Sequence, residues 1–184
     1  MPANGPSYRF KTCLLILACL TALIPQASAD TGEYQVKAAM IYNMIRFMDW
    51  PDEALPSTST QLTVCVAGKG QLSTAVNSLQ GKQVKGKVIT VRQLASGTNT
   101  TGCQVLVFSD LDKSTSLNLL ERIRSSALLT ISDSAGFARS GGIVGFALQE
   151  GKVRFEINQA ASQRHRIRIS AQLLKLASIV QESP

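Results

Sequence analysis

Residues 33–51 read EYQVKAAMIYNMIRFMDWP, a stretch whose apolar residues recur at the spacings of a helix. One apolar row recurs at intervals of three and four residues and consists of Tyr34, Ala38, Ile41, Ile45 and Met48. A second row lies beside it and consists of Val36, Met40, Met44 and Phe47. A helix with both rows is apolar over more than half of its circumference, so it needs cover on two sides.

Two interpretations of this helix are open. In the first, one side packs on a sheet and the other contacts a partner chain or a second copy through the row that begins at Tyr34. In the second, the helix lies fully buried in the core of one protomer. In either case we expect it to end at Trp50, because Pro51 disfavours helical geometry in the residue before it.

Residues 1–29 have the features of a secretory leader. Two basic residues precede the apolar run CLLILACLTALI, and Ala27-Ser28-Ala29 supplies the small residues of a cleavage site. We therefore predict that this leader is removed and that residues 30–184 form one exported, soluble domain. A lipoprotein acylated at Cys19 is a weaker alternative, because Cys19 lies inside the apolar run and not after it.

The charge balance does not favour nucleic acid as a partner. The chain has 19 basic and 12 acidic residues, and loss of Arg9 and Lys11 with the leader leaves 17 basic residues and a net charge of +5. This excess is spread along the sequence, which favours solubility and attraction to anionic surfaces.

The predicted mature domain contains two cysteines, Cys65 and Cys103. An even pair in an exported chain favours a disulfide. The alternative is two buried free thiols.

The rest of the chain alternates between strand and helix patterns. The predicted strands are 62–68, 85–94, 103–110, 127–132 and the two arms of a hairpin within 141–158 that turns at 150–152. The further predicted helices are 70–80, 113–125 with Leu117, Leu120 and Ile123 inward, and 170–180 with Ser170 as its N-cap. This order predicts a single α/β domain with a mixed, mostly parallel sheet of about six strands flanked by four to five helices.

The sequence offers little for catalysis. The single histidine, His165, lies in the run RHRIR at 164–168, which we interpret as a solvated basic loop, and no Gly-x-Ser-x-Gly turn is present. No spacing of histidines, cysteines and carboxylates suits a metal site. The segment Gly68-Lys69-Gly70 lacks the remaining residues of a phosphate-binding loop, so we interpret it as a turn. We therefore expect no enzyme activity, no catalytic residues, no metal and no cofactor.

Two segments are candidates for binding. The segment 132–138, SDSAGFA, with Gly141-Gly142 after it, joins a strand to the hairpin. It is interpreted either as a recognition loop at the carboxyl ends of the strands or as a tight connection that needs glycine. Glu156 and Arg168 are charged residues among apolar neighbours. Strand alternation can place either residue on the exposed side; if buried, each needs a partner, which is the other residue or a ligand.

Several of these stretches together resemble the YfiR family of exported bacterial proteins. They are EYQVKAAMIYNMIRFMDWP, LTVCVAG, SDSAGFARSGGIVGF, RFEINQAA and RIRISAQLLKLASIV, in the order of the family. The resemblance implies a soluble periplasmic repressor of cyclic di-GMP signalling and biofilm formation. It implies binding to the periplasmic part of an inner-membrane diguanylate cyclase (YfiN-like), sequestration by an outer-membrane lipoprotein (YfiB-like), and a homodimer.

The resemblance also carries over to particular residues. Cys65 and Cys103 look like a disulfide pair of the family, whose members are associated with redox sensitivity, while the second pair of some relatives is absent here, where Ala138 and Gly145 lie. Glu156 and Arg168 look like positions that bind small aromatic ligands. The alternative function is a periplasmic sensor of an aromatic metabolite that acts on another membrane signalling protein, such as a histidine kinase.

Overall fold

A computed structural model describes residues 29–95 and 99–183 of the chain. The predicted leader, 1–29, lies outside the described residues except for its last position. Within the described ranges, no helix has the length and apolar character needed to cross a membrane.

Short helices alternate with strands along most of the described chain. The strands are β1 (Met48–Asp49), β2 (Gln61–Gly68), β3 (Gln83–Val84), β4 (Lys87–Gln93), β5 (Val105–Ser109), β6 (Leu129–Ser132), β7 (Val144–Gln149), β8 (Lys152–Asn158), β9 (Arg168–Ile169) and β10 (Ser178–Val180). The α-helices are α1 (Ala29–Arg46), α2 (Gln71–Val76), α3 (Lys113–Arg122), α4 (Gln159–Arg164) and α5 (Ala171–Leu174).

Eight of the strands form one mixed sheet in the order β10-β8-β7-β6-β5-β2-β4-β3. Within the series β4-β2-β5-β6-β7 each strand pairs in parallel with the next, while β3 pairs antiparallel with β4 and β8 pairs antiparallel with β7 in the hairpin. The predicted mostly parallel α/β fold is therefore confirmed, with more strands than expected. The centre of the sheet is buried on both faces, since all five residues of β5 are buried.

Helix α1 covers one face of the sheet but ends earlier than predicted. It ends at Arg46, four residues before Trp50. The chain leaves the helix because Met48 and Asp49 pair with Ile169 and Arg168 in the two-stranded sheet β1–β9. Trp50 is buried and its indole Nε1 donates a hydrogen bond to the carbonyl of Gln104 at 2.9 Å.

Helix α3 packs on the opposite face against Leu106 and Phe108. Its N-cap is Asp112, whose carboxylate accepts a hydrogen bond from the amide of Thr115 at 2.9 Å. Leu119, Leu120 and Ile123 face the core, but Leu117 is 39% exposed and the prediction that it faces inward is wrong.

The carboxyl-terminal segment is a correction to the predicted helix 170–180. Ser170 does cap a helix, since its hydroxyl accepts from the amide of Leu173 at 3.3 Å, but α5 lasts one turn. The chain then forms β10, which pairs in parallel with β8. Residues 178–180 form backbone hydrogen bonds with the free edge of β8, which a continued helix could not form. Helix α5 therefore does not continue, and Leu176 is exposed.

The structure contains the disulfide between Cys65 and Cys103, whose Cα atoms are 5.8 Å apart. Cys65 lies in the middle of β2 and Cys103 just before β5, so the bond joins two neighbouring strands at the centre of the sheet. The guanidinium of Arg92 on β4 lies beside it, 3.0 Å from Sγ of Cys103.

Candidate binding surface at the carboxyl ends of the strands

The chain order reverses at β2, which lies between β4 and β5, and open α/β sheets usually bind ligands in the crevice at such a point. Here the backbone at the end of β2 contacts the backbone at the end of β5. A Cβ atom on Gly68 would lie 1.8 Å from the carbonyl oxygen of Ser109, and one on Gly70 would lie 2.7 Å from Cβ of Asp110. The segment 68–70 is thus a tight turn against the β5–α3 connection, and its glycines are needed for that approach.

A polar cleft of about 540 Å³ opens beside this turn, on the α1 side of the sheet. Its charged lining consists of Lys69, Asp110 and Asp133, which follow the ends of β2, β5 and β6. Parallel strands bring their carboxyl ends to one edge of the sheet, so these three side chains come from separate stretches of the sequence to one surface.

Lys37 fastens α1 to this surface. It is 5% exposed, and its Nζ lies 2.9 Å from a carboxylate oxygen of Asp133 and 2.6 Å from one of Glu33. Burial alone lowers the pKa of this lysine, but the two carboxylates outweigh burial and the pKa is raised overall. The ammonium also lies over the ring of Tyr34, 4.4 Å from its centroid.

The segment 132–142 fits the second interpretation made from its sequence, and its role in recognition stays a prediction. It is a tight connection, since a Cβ on Gly142 would lie 2.1 Å from the ring of Phe137. That ring packs on Phe108 with a centroid distance of 4.9 Å. The hydroxyl of Ser132 donates to the carbonyl of Phe108 at 3.0 Å and anchors the start of the segment. Its exposed part, from Ser134 to Gly136, lies at the carboxyl edge of the sheet.

The structure places Glu156 and Arg168 in different sheets. Glu156 lies in β8 and forms an ion pair with Arg139, whose Nη2 is 3.0 Å from its Oε1. Arg168 is exposed in β9, opposite Asp49. The described ion pair of Glu156 is therefore with Arg139 and not with Arg168, and a ligand role for either residue stays a prediction.

The apolar row of α1 that we assigned to a partner contact is largely internal. Ala38, Ile41, Ile45 and Met48 are each at most 1% exposed and Tyr34 is half-buried. This row packs inside the protomer because α1 lies flat on the sheet, and a partner contact through it stays a prediction. The second row is exposed at its two ends, at Val36 (48%) and Phe47 (37%), while Met44 between them is 2% exposed.

His165 corrects the expectation of a solvated loop. It is 2% exposed, and its ring Nδ1 lies 2.8 Å from the carbonyl oxygen of Ser126. A carbonyl only accepts, so Nδ1 carries the proton and donates. Burial lowers the pKa of His165, and the nearby Arg164 lowers it further, against an opposing effect of the hydrogen bond to Ser126.

We expect this histidine to weaken folding below neutral pH. The unfolded imidazole, with a pKa of about 6.5, takes up its proton before the folded one does, so stability falls as pH drops below that value, with a slope of at most about 1.4 kcal/mol per pH unit. His165→Asn keeps a donor toward Ser126 but does not titrate. Urea unfolding between pH 7.5 and 5.5 should show the fall in the parent protein and a flatter profile in the variant; equal slopes would contradict a buried neutral His165.

The comparison with protein families identifies the chain. The profile of the YfiR/HmsC-like family matches residues 34–178, which is most of the described chain. The protein belongs to the YfiR/HmsC-like family. The match begins in α1 and ends in β10, so it includes the whole sheet and the surface at its carboxyl edge.

One solved structure is similar in outline, a conserved domain protein from Vibrio cholerae O1 biovar El Tor. It is 12% identical, with a TM-score of 0.47, and the alignment includes 79% of this chain and 59% of the other. The chain thus spans little more than half the length of that protein. No curated protein matches the chain.

Two residues that form ion pairs, Lys37 and Arg139, are not singled out by the sequence. The 37–133 and 139–156 ion pairs join residues distant in sequence, and no local pattern identifies such partners.

Proposed function

We propose that this protein is a periplasmic repressor that binds the periplasmic sensor part of an inner-membrane diguanylate cyclase and lowers cyclic di-GMP production. Membership of the YfiR/HmsC-like family carries the proposal. The family supports a regulator of diguanylate cyclase signalling, and the features of residues 1–29 support export. An outer-membrane lipoprotein then sequesters the repressor and releases the cyclase.

Repression of this kind requires binding and not bond making. A protein that binds the inactive arrangement of a sensor domain more tightly than the active one shifts the population toward the inactive form. Complete inhibition requires a large difference, about 10⁴-fold in affinity to move the equilibrium from 1:99 to 99:1. A rigid binding surface strengthens binding, because less conformational entropy is lost when the complex forms.

Two features support rigidity at the carboxyl edge of the sheet. The Cys65–Cys103 bond links β2 to the chain entering β5, and Lys37 holds α1 to the residue that follows β6. The cyclase contacts this edge, while the outward row of α1 with Val36 and Phe47 contacts a second copy in a homodimer. Exposed apolar side chains on one helix are common in such contacts.

The test is a complementation experiment in a strain that retains the cyclase. Deleting the gene should raise cellular cyclic di-GMP severalfold, and a plasmid copy of the full chain should restore the low level. A copy without residues 2–29 should leave the level high, because the repressor then stays in the cytosol. Immunoblots of both copies establish equal abundance. An unchanged level after deletion, or full repression by the shortened copy, would argue against periplasmic repression.

A further inference from the structure

A second cleft, of about 360 Å³, lies between α3 and the segment 134–140 on the opposite side of the carboxyl edge. Its volume is within the range of small-molecule pockets, about 300–1,000 Å³. The apolar walls come from Leu111, Leu117, Leu120 and Phe137. The ring of Phe137 is fixed between Phe108 and the backbone of Gly142, so this wall is preformed.

Ser116, a residue of the cleft lining, has a buried hydroxyl without a partner among the described residues. Ser116 on α3 is 7% exposed, and its Oγ atom forms no hydrogen bond with the described residues. Leaving a buried hydroxyl unpaired is unfavourable, and native proteins rarely do so without a compensating ligand or water. The hydroxyl can both donate and accept, so it suits an oxygen-bearing ligand.

Two cations lie along the cleft, Lys113 and Arg139. Arg139 is paired with Glu156, which holds the guanidinium in place and balances its charge. Lys113 is exposed at the first turn of α3 and has no ion-pair partner among the described residues. The lining therefore has one uncompensated positive charge, which favours a monoanion over a phosphate dianion.

We infer that this cleft binds a small monocarboxylate with an apolar body. The apolar part contacts Leu117, Leu120 and Phe137, and the carboxylate accepts hydrogen bonds from the ammonium of Lys113 and the hydroxyl of Ser116. The Oγ atom of Ser116 has less than 1 Å² of exposed surface, so this hydroxyl turns toward the cleft when the ligand binds. The inference concerns residues other than Arg168 and does not depend on the proposed repression of a cyclase.

The test uses octanoate as the probe and 1-octanol as its uncharged counterpart. Titration of the purified mature domain, followed by amide chemical shifts and calorimetry, should give a Kd below about 1 mM for octanoate. The largest shifts should fall on α3 and on residues 134–140. Binding of 1-octanol should be about tenfold weaker, because it lacks the charged acceptor.

Variants separate the cleft from general apolar binding. Lys113→Met should weaken the binding of octanoate about tenfold and leave the affinity for 1-octanol unchanged. Lys152→Met, at an exposed lysine of the hairpin, should change neither affinity. Ser116→Ala should weaken octanoate severalfold yet leave the melting temperature unchanged or higher, because the unpaired hydroxyl is removed. A purely structural Ser116 would not alter octanoate affinity.

Several results would overturn the inference. These are equal affinity for octanoate and 1-octanol, shifts concentrated away from the cleft, or the same effect from Lys113→Met and Lys152→Met. No detectable octanoate binding at millimolar concentration would overturn it as well.

Discussion

Ile41→Asp is expected to abolish folding of the protein at room temperature. Ile41 has no exposed surface and packs in the main core cluster between α1 and the sheet. The change removes apolar burial and places a carboxylate among buried apolar side chains, a cost of several kcal/mol that approaches the whole stability of a small domain, about 5–15 kcal/mol. Circular dichroism and urea unfolding measure the loss.

Val36→Asp is the matched control for this change. The same substitution on the same helix falls on a side chain that is 48% exposed, so stability should change by less than about 1 kcal/mol. If the outward row contacts a second copy, Val36→Asp should also convert a dimer to a folded monomer by sedimentation. A folded, monomeric Ile41→Asp variant would contradict the expected loss of folding. It would mean that the row that begins at Tyr34 contacts a partner.

Gly68→Ala should destabilise the protein by about 4 kcal/mol or more. Gly68 has a φ of +93°, and an added Cβ would meet the carbonyl oxygen of Ser109 at 1.8 Å. The left-handed conformation alone costs an alanine about 1–2 kcal/mol, and the overlap with a backbone atom requires β2 and the β5–α3 connection to separate.

Gly81→Ala isolates the conformational part of that cost. Gly81 has a φ of +78°, and nothing lies within 4 Å of its added Cβ. Its replacement should cost only about 1–2 kcal/mol in thermal or urea unfolding. Equal losses for the two variants would show that the crevice between β2 and β5 has room, and a ligand site at the switch point would then have to be reconsidered.

The central strands could be predicted because their signal is local. The run Val105–Phe108 is apolar without alternation, and such a run fits a strand covered on both faces. The hairpin likewise followed from the turn at residues 150–152 between two strand patterns. The family could also be identified, because its motifs are stretches of contiguous residues.

The errors occurred where distant segments compete for the same residues. Residues 178–180 have a helical apolar pattern, but the open edge of β8 takes them as a strand. Trp50 was expected to end α1, but pairing of residues 48–49 with β9 ends it earlier. His165 lies among cations in the sequence, and only the packing of α4 against the Ser126 carbonyl buries it.

The sequence by itself determined the order of the central strands and of the hairpin, the mostly parallel sheet and the family, since each depends on periodicity or on contiguous motifs. The tertiary structure decided which row of α1 is buried, which cation pairs with Glu156, and that Ser116 lines a cleft. Periodicity records that a side chain is apolar or charged; what covers it depends on segments tens of residues away, which meet only when the chain folds.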